Sequence, residues 1–126
     1  MNSVFTDAEL EYLGPGERRL ARVATIGADG VPHVVPTGWT YNGDLDTVDL
    51  GGMDLTKTKK FRDVVRNPAV ALVVDDVLPP WQPRGIEIRG LAEAIDDPEP
   101  LIRIRPRRVV SWGLDGDTRG GRDVGH

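Results

Sequence analysis

The chain has 126 residues, no cysteine and a formal net charge of −4. This length supports one domain with a real core but not two, and the lack of cysteine excludes disulfides, thiolate metal sites and cysteine nucleophiles. The acidic balance argues against a nucleic-acid-binding protein, because such proteins usually carry a broad basic surface. The sequence shows neither a membrane-spanning apolar run nor a signal-peptide pattern. We therefore expect a cytoplasmic protein without a membrane partner.

Two segments carry helix signals. The segment Thr6-Asp7-Ala8-Glu9 has the form of a capping box, which predicts a helix that begins here and ends at Gly14-Pro15-Gly16. A second amphipathic helix follows residue 56 and ends at Asn67-Pro68. Its predicted apolar face consists of Phe61, Val64 and Val65.

The rest of the pattern predicts antiparallel strands. Apolar, strand-like runs cover residues 20–26, 31–41, 47–51, 70–75, 86–95 and 101–112. Six strands with one inserted helix and an N-terminal helix indicate a mainly β fold, a small antiparallel six-stranded β-barrel. The domain is predicted to span residues 1–114. Residues 115–126 are mostly Gly, Asp and Arg with little to bury, so we expect a disordered tail.

Prolines and glycines mark irregular points in these strands. Pro32 and Pro36 predict that the second strand lies at an edge or carries a bulge, because each proline removes a ladder donor. Gly90 predicts a bulge or tight bend in the fifth strand, and Pro106 a break in the sixth. The proline-rich segment 78–83 is expected to be a loop.

The most informative segment is the lysine-rich start of the second helix, Met53-Asp54-Leu55-Thr56-Lys57-Thr58-Lys59-Lys60. The first turn of a helix presents unpaired N–H groups and the positive end of the dipole, so acidic residues are usually favoured there. Lysines at this place indicate a binding site for an anion such as a phosphate. A solvated basic helix start is the alternative interpretation.

Chemistry based on side chains alone has little support. The two histidines, His33 and His126, are too few for a metal site or a histidine-based triad, and we interpret His33 as a surface residue. The pairs Asp75-Asp76 and Asp96-Asp97 lie at strand ends, where aspartate favours turns. No catalytic residue is identified. Any catalysis would therefore come from a bound organic cofactor, with the tryptophans 39, 81 and 112 as candidates for lining a flat ring.

The order of these motifs resembles the pyridoxamine 5′-phosphate oxidase-like split-barrel family. The triplet Thr58-Lys59-Lys60 followed by Asn67-Pro68 is similar to the family's Ser/Thr-Arg/Lys-Lys and Asn-Pro pattern. The segment 80–90, with its Pro-Trp pair and Arg-x-Gly ending, resembles the family's Pro-Trp loop and following strand. The segment 104–112 resembles its closing strand and tryptophan. The resemblance spans roughly residues 6–114.

This resemblance implies a split barrel that forms a homodimer with two cofactor sites at the interface. Residues matching Val34, Val35, Pro36 and Thr37 would flank the flavin ring, and those matching Thr58, Lys59 and Lys60 would bind its phosphate. The closing Trp112 would come near the site, and Trp81 is a further candidate. Gly85 replaces a family glutamine that reaches the flavin from the partner chain. The Arg-x-His pair of true pyridoxamine phosphate oxidases is absent from the segment 113–116.

The Trp-Gly-Leu-Asp ending resembles most closely the actinobacterial branch that uses the deazaflavin coenzyme F-420. The leading hypothesis is an oxidoreductase that transfers a hydride from reduced F-420 to a conjugated small-molecule substrate. Lys57 would suit the extended anionic tail of that cofactor. An FMN-dependent oxidoreductase is the first alternative. A non-catalytic protein that binds a flavin, F-420 or haem is the second.

Overall fold

The computed structural model describes residues 2–16, 19–114 and 120–125. The helices are α1 (Asp7–Leu13) and α2 (Lys59–Arg66), with a 3-10 turn at Leu55–Lys57 before α2. The strands are β1 (Ala21–Ile26), β2 (Pro32–Thr37), β3 (Trp39–Asn42), β4 (Thr47–Leu50), β5 (Ala69–Leu78), β6 (Gln82–Ile95), β7 (Leu101–Trp112) and β8 (Gly120–Asp123).

All the pairings are antiparallel, and they join the strands into one curled sheet in the order β2-β1-β5-β6-β7-β4-β3. The edge of β7 that faces away from β6 is shared by two short strands. Its first half pairs with β4, and its second half pairs with β8. The mainly β antiparallel class predicted from the sequence is confirmed, and β2 lies at an edge of the sheet as its two prolines predicted.

The predicted count of six strands is wrong, since the described residues form eight. The run predicted as one strand over residues 31–41 divides at Gly38 into β2 and β3, which lie at opposite ends of the strand order. The eighth strand comes from the segment predicted to be disordered. Residues 120–123 of that segment pair with β7, so the prediction is wrong there, while residues 115–119 lie outside the described part of the chain.

The bulge predicted at Gly90 is present, but Pro106 does not break its strand. The register between β6 and β7 shifts between Arg89 and Gly90, where Arg89 pairs with Arg108 and Gly90 with Pro106. A side chain on Gly90 would lie 2.2 Å from the Arg105 carbonyl oxygen, so the two backbones can approach this closely only at glycine.

The predicted loop 78–83 is shorter than expected, because Leu78 still belongs to β5 and β6 begins at Gln82. The core lies on the concave side of the sheet and contains fully buried aliphatic residues from five strands: Val23, Val48, Leu50, Leu72, Ile86, Ile88, Ile104 and Val109. Helix α2 covers this core with Phe61 and Val64, whereas Val65 is 70% exposed, so its assignment to the apolar face is wrong.

Candidate functional site

The start of α2 is built by two successive turns. Thr58 is the N-cap, and its hydroxyl accepts a hydrogen bond from the Phe61 N–H at 3.3 Å and donates one to the Leu55 carbonyl at 2.6 Å. The Lys57 carbonyl accepts a hydrogen bond from the Arg62 guanidinium at 2.9 Å. These hydrogen bonds hold the backbone that carries the lysines in place. They place the helix end where its dipole favours an anion.

Lys59 is held by a buried carboxylate. Its Nζ lies 3.1 Å from Oδ1 of Asp63, one helical turn further along, and Thr25 donates a hydrogen bond to Oδ2 at 2.8 Å. The Asp63 side chain is only 1% exposed. Burial alone would raise the pKa of Asp63, but the hydrogen bonds from Thr25 and Lys59, with the charges of Lys59 and His33, lower it below its usual range. Part of the Lys59 charge therefore stabilises the fold.

Lys57 and Lys60 differ from Lys59 in this respect. Neither forms an ion pair within the described residues, and Lys57 is exposed while Lys60 is half-buried. Their ammonium groups are therefore the cations of this helix start that remain to bind an external anion. Sequence reasoning treated the lysines as equivalent, although the Lys59–Asp63 spacing of four residues is a recognisable ion-pair signal.

His33 lies beside Lys59, which the sequence analysis did not anticipate. A side chain placed on Gly27 would come within 3.1 Å of His33 Nε2 and 3.2 Å of Lys59 Nζ, and within 3.0 Å of the Asp29 carboxylate. The three polar groups therefore surround the space above Gly27. His33 is half-buried, so its interpretation as a plain surface residue was too simple.

Strand β2 carries the four residues predicted to flank a flavin ring. Val34 is 66% exposed, Val35 and Pro36 are also exposed, and Thr37 is buried and donates a hydrogen bond to the Gly38 carbonyl. Val34 and Val35 are consecutive in the strand, so their side chains point to opposite faces of the sheet, and both are exposed at its edge. The exposed part of the strand begins at the same sheet end as the lysines, because His33 pairs with Thr25 and lies beside Gly27.

The predicted tryptophans lie at the opposite end of the sheet. Trp112 pairs with Gly85, and Gly85 pairs with Asp75. The neighbour of Asp75, Val74, pairs with Ala21 at the start of β1. Lys59 lies beside Gly27 at the other end of this strand, about 20 Å away at the usual rise per residue. Trp81 is 76% exposed at the tip of the β5–β6 hairpin. One chain therefore does not bring Trp81 or Trp112 to the lysines.

The glycine at position 85 has a packing reason. A side chain there would lie 2.7 Å from the Trp112 ring, from the Asp75 Cβ and from the Val74 carbonyl oxygen. The ring of Trp112 thus fills the space above Gly85 that a longer residue would occupy. The family resemblance places a glutamine at the position of Gly85, and in this chain the Trp112 ring lies there instead.

A cavity of about 520 Å³ lies near the end of the sheet that carries Gly85 and Trp112. Its walls come from α1 and the segment after it, the end of β5, the start of β6 and the residues after β7. The main side chains are Tyr12, Arg19, Leu78, Arg84 and Leu114. Sequence reasoning missed this cavity, because its parts are distant in the chain and share no motif.

The carboxylate of Asp76 holds polar side chains of the cavity wall in place. Arg84 donates two hydrogen bonds to Asp76 at 2.8 and 3.1 Å, and the Tyr12 hydroxyl donates a third at 2.7 Å. The Arg19 guanidinium lies 4.2 Å from the centre of the Tyr12 ring and 3.6 Å from the same carboxylate. Burial and the hydrogen bond to Asp76 raise the pKa of Tyr12, while the Arg84 hydrogen bonds lower that of Asp76. Asp76 has a structural role through these hydrogen bonds, but the prediction that Asp75-Asp76 lie at a strand end is wrong, because both are paired within β5.

No group of three histidine, aspartate or glutamate side chains in the described residues is placed to hold a metal ion. None of the helices in the described ranges has the length and apolar character needed to cross a membrane.

Comparison with known proteins establishes the family. Residues 6–124 match the model of the pyridoxamine 5′-phosphate oxidase family. The chain belongs to this family. It is also 38% identical to the 5a,11a-dehydrotetracycline/5a,11a-dehydrooxytetracycline reductase of Streptomyces rimosus, over 95% of this chain and 93% of that protein. The prediction of an oxidoreductase is confirmed at the level of the enzyme class.

Solved structures agree with this placement in the pyridoxamine 5′-phosphate oxidase family. A conserved hypothetical protein of Mycobacterium tuberculosis superposes with a TM-score of 0.72 at 22% identity, over 88% of this chain and 86% of that one. An F420 reductase superposes with a TM-score of 0.65 at 24% identity, over 83% of this chain and 98% of that one. At these identities the likeness shows the fold, which is the split barrel that the resemblance implied.

Proposed function

We propose that this protein is a reductase that uses the deazaflavin coenzyme F-420 and transfers a hydride to a conjugated small molecule. The observation that carries the proposal is the lysine-rich start of α2, where Lys57 and Lys60 have no ion-pair partner within the described residues. The relative that reduces dehydrotetracyclines and the structural similarity to an F420 reductase support the same activity.

The residues at this helix start fit the phosphate of such a cofactor. The cap at Thr58 leaves N–H groups of the first turn facing outward, and Lys57 and Lys60 supply point charges on either side of it. Lys59 uses one of the three N–H donors of its ammonium group for the hydrogen bond to Asp63. Coenzyme F-420 carries an extended anionic tail, for which Lys57 provides a cation outside the first turn.

The exposed part of β2 fits the ring of the cofactor. Val34 and Val35 give this edge strand exposed apolar side chains on both faces, following His33 beside Lys59, and Pro36 has no N–H group that would need a partner. When bound, reduced F-420 supplies a hydride to a carbon–carbon double bond conjugated with a carbonyl group, and solvent supplies the accompanying proton. The residues of this chain bind and orient the cofactor and exclude water from its ring.

We further propose that the active unit is a homodimer with each site at the interface. Within one chain, Trp81 and Trp112 lie about 20 Å from the lysines, so they can complete a site only for a partner. The exposed residues Val34, Val35 and Trp81 form apolar surface that a second copy would cover. Light scattering that shows a monomer at micromolar concentration would contradict this part of the proposal.

The alternatives are an FMN-dependent oxidoreductase and a non-catalytic protein that binds a flavin, F-420 or haem. A calorimetric titration of the protein with F-420, FMN, FAD and haemin separates these possibilities. We expect F-420 to bind most tightly and its reduced form to be oxidised when a conjugated enone is added. Tighter binding of FMN, or binding of F-420 without any oxidation by a range of enones, would contradict the proposal.

A further inference from the structure

The cavity between α1 and the β5–β6 hairpin is not explained by cofactor binding through α2. Its volume of about 520 Å³ lies within the range of about 300–1,000 Å³ that is usual for small-molecule sites. It lies near the start of β1, whereas the lysines lie at the far end of that strand. The cavity is therefore separate from the lysine-rich start of α2.

The walls combine apolar surface with fixed polar groups. Ala8, Pro15, Leu78 and Leu114 supply aliphatic contacts. The Arg19 and Arg84 guanidinium groups form the polar part of the wall and lie 4.2 and 5.2 Å from the centre of the Tyr12 ring, which is itself only 5% exposed. Planar guanidinium groups stack well on flat, conjugated molecules.

The polar groups of the cavity are held in place before any ligand enters. Asp76 is bound by both Arg84 and the Tyr12 hydroxyl, and Arg19 donates to the Tyr12 carbonyl at 3.4 Å. At Gly113, φ is +66° and a side chain would lie 2.1 Å from the Pro83 carbonyl oxygen, so this position of the wall admits only glycine. Fixed groups lose little entropy when a ligand binds. Guanidinium groups also suit carbonyl and enolate oxygens.

We propose that this cavity binds the flat, conjugated acceptor molecule, with its ring and its oxygens against the guanidinium groups of Arg19 and Arg84. The assignment rests on the proposed reductase function and names the place of its second substrate. Within one chain the lysines that would bind the phosphate lie about 20 Å from the cavity, whereas Thr37, at the other end of β2, pairs with Ala21 near the cavity, so the ring of the cofactor is expected towards this end of the sheet. Glu11 at the rim disfavours ligands with a carboxylate on that side.

The test uses 8-anilinonaphthalene-1-sulfonate, a flat fluorescent anion, as the probe, without cofactor. The cavity is filled by Ala8→Phe and, from a different wall, given a charge by Leu78→Asp. The matched control is Asp7→Phe, on the same helix but outside the cavity. We expect the parent and the control to bind the probe in the cavity, and both cavity variants to bind it there at least tenfold more weakly, since the ligand loses most of its buried contact. Any probe bound at the start of α2 is lost in Lys57→Ala/Lys60→Ala and kept in the cavity variants. Circular dichroism melting identifies any variant that does not fold, and the other then decides.

A parent without a saturable probe site, or folded cavity variants that bind the probe as tightly as the parent, would overturn the inference. Titration of the same proteins with F-420 separates this failure from that of the proposed function. If the parent does not bind F-420, the proposed function fails whatever the probe shows. If the parent binds F-420 and the cavity variants keep the parent's affinity for the probe, only the assignment of the cavity fails.

Discussion

Arg122, near the end of the chain, forms an ion pair with Glu9 of the first helix, and Glu9 is completely buried. The guanidinium donates to both carboxylate oxygens and to the Val4 carbonyl, and Ser111 of β7 donates to Glu9 at 2.6 Å. The Glu9 side chain also accepts the Thr6 N–H, as the capping box predicted. One carboxylate thus joins α1, β7 and β8.

We predict that Arg122→Ala destabilises the protein by about 2–3 kcal/mol. Removing one partner of a buried pair costs about 3–5 kcal/mol, and the lower figure reflects the 37% exposure of the Arg122 side chain to screening solvent. Urea unfolding followed by circular dichroism measures the change. The exposed neighbour Arg107 provides the control variant, Arg107→Ala, whose expected effect is within about 0.5 kcal/mol. Equal stability of the two variants would show that Arg122 contributes little.

Deletion of residues 120–126 is expected to lower the melting temperature by several degrees. The deletion removes the β7–β8 pairing and leaves Glu9 buried without its arginine. This expectation reverses the one from composition alone, under which the segment was too polar to pack. Differential scanning calorimetry of the shortened chain decides between them, since an unchanged melting temperature would support the earlier interpretation.

The structure also predicts loss of stability in acid. For Glu9, Asp46, Asp49 and Asp63 burial raises the pKa, but hydrogen bonds outweigh it and the folded-state pKa is lowered; at Asp76 the Arg84 hydrogen bonds dominate. A carboxylate with a lowered pKa contributes stability above its unfolded value, near 4, and loses it as the pH falls through the folded value. We expect the free energy of unfolding to be constant from pH 7 to about pH 5 and to fall steeply below about pH 4. A stability unchanged at about pH 3 would contradict this.

Lys59 and Lys60 are expected to differ when each is replaced by alanine. Lys59→Ala leaves the buried Asp63 with Thr25 as its remaining direct hydrogen-bond donor, so we expect a loss of about 1–3 kcal/mol. Lys60→Ala removes an unpaired cation from the positive end of a helix dipole and is expected to be neutral within about 0.5 kcal/mol. Thermal melts of both variants test this. Equal melting temperatures would show that the Lys59–Asp63 pair has no net value.

The sequence predicted the local features well and the long-range ones less well. The capping box at Thr6 and the bulge at Gly90 were predicted, because each has a signal in residues close in the chain. The strand β8 was not, since its few apolar groups give no periodic signal. It is held instead by the ion pair between Arg122 and Glu9, which lie 113 positions apart in the chain.

The same distinction applies to the candidate site. The lysines were found because a local rule, the usual preference for acidic residues in the first helical turn, is broken there. The burial of Asp63, the position of His33 beside Gly27 and the cavity around Tyr12 each depend on the packing of separate elements. No spacing in the sequence indicates such contacts.

The central claim is that the start of α2 binds the phosphate of the cofactor, and its most direct test is calorimetric titration of the double variant Lys57→Ala/Lys60→Ala with coenzyme F-420. Both lysines lack an ion-pair partner in the described residues, so the fold should be spared. Charge-assisted hydrogen bonds contribute about 1.5–3 kcal/mol each, which predicts at least a hundredfold weaker binding. The control Arg66→Ala removes an exposed cation from the other end of the same helix and should bind like the parent. If the double variant binds F-420 as tightly as the parent, the lysines are only a solvated helix start and the account is wrong.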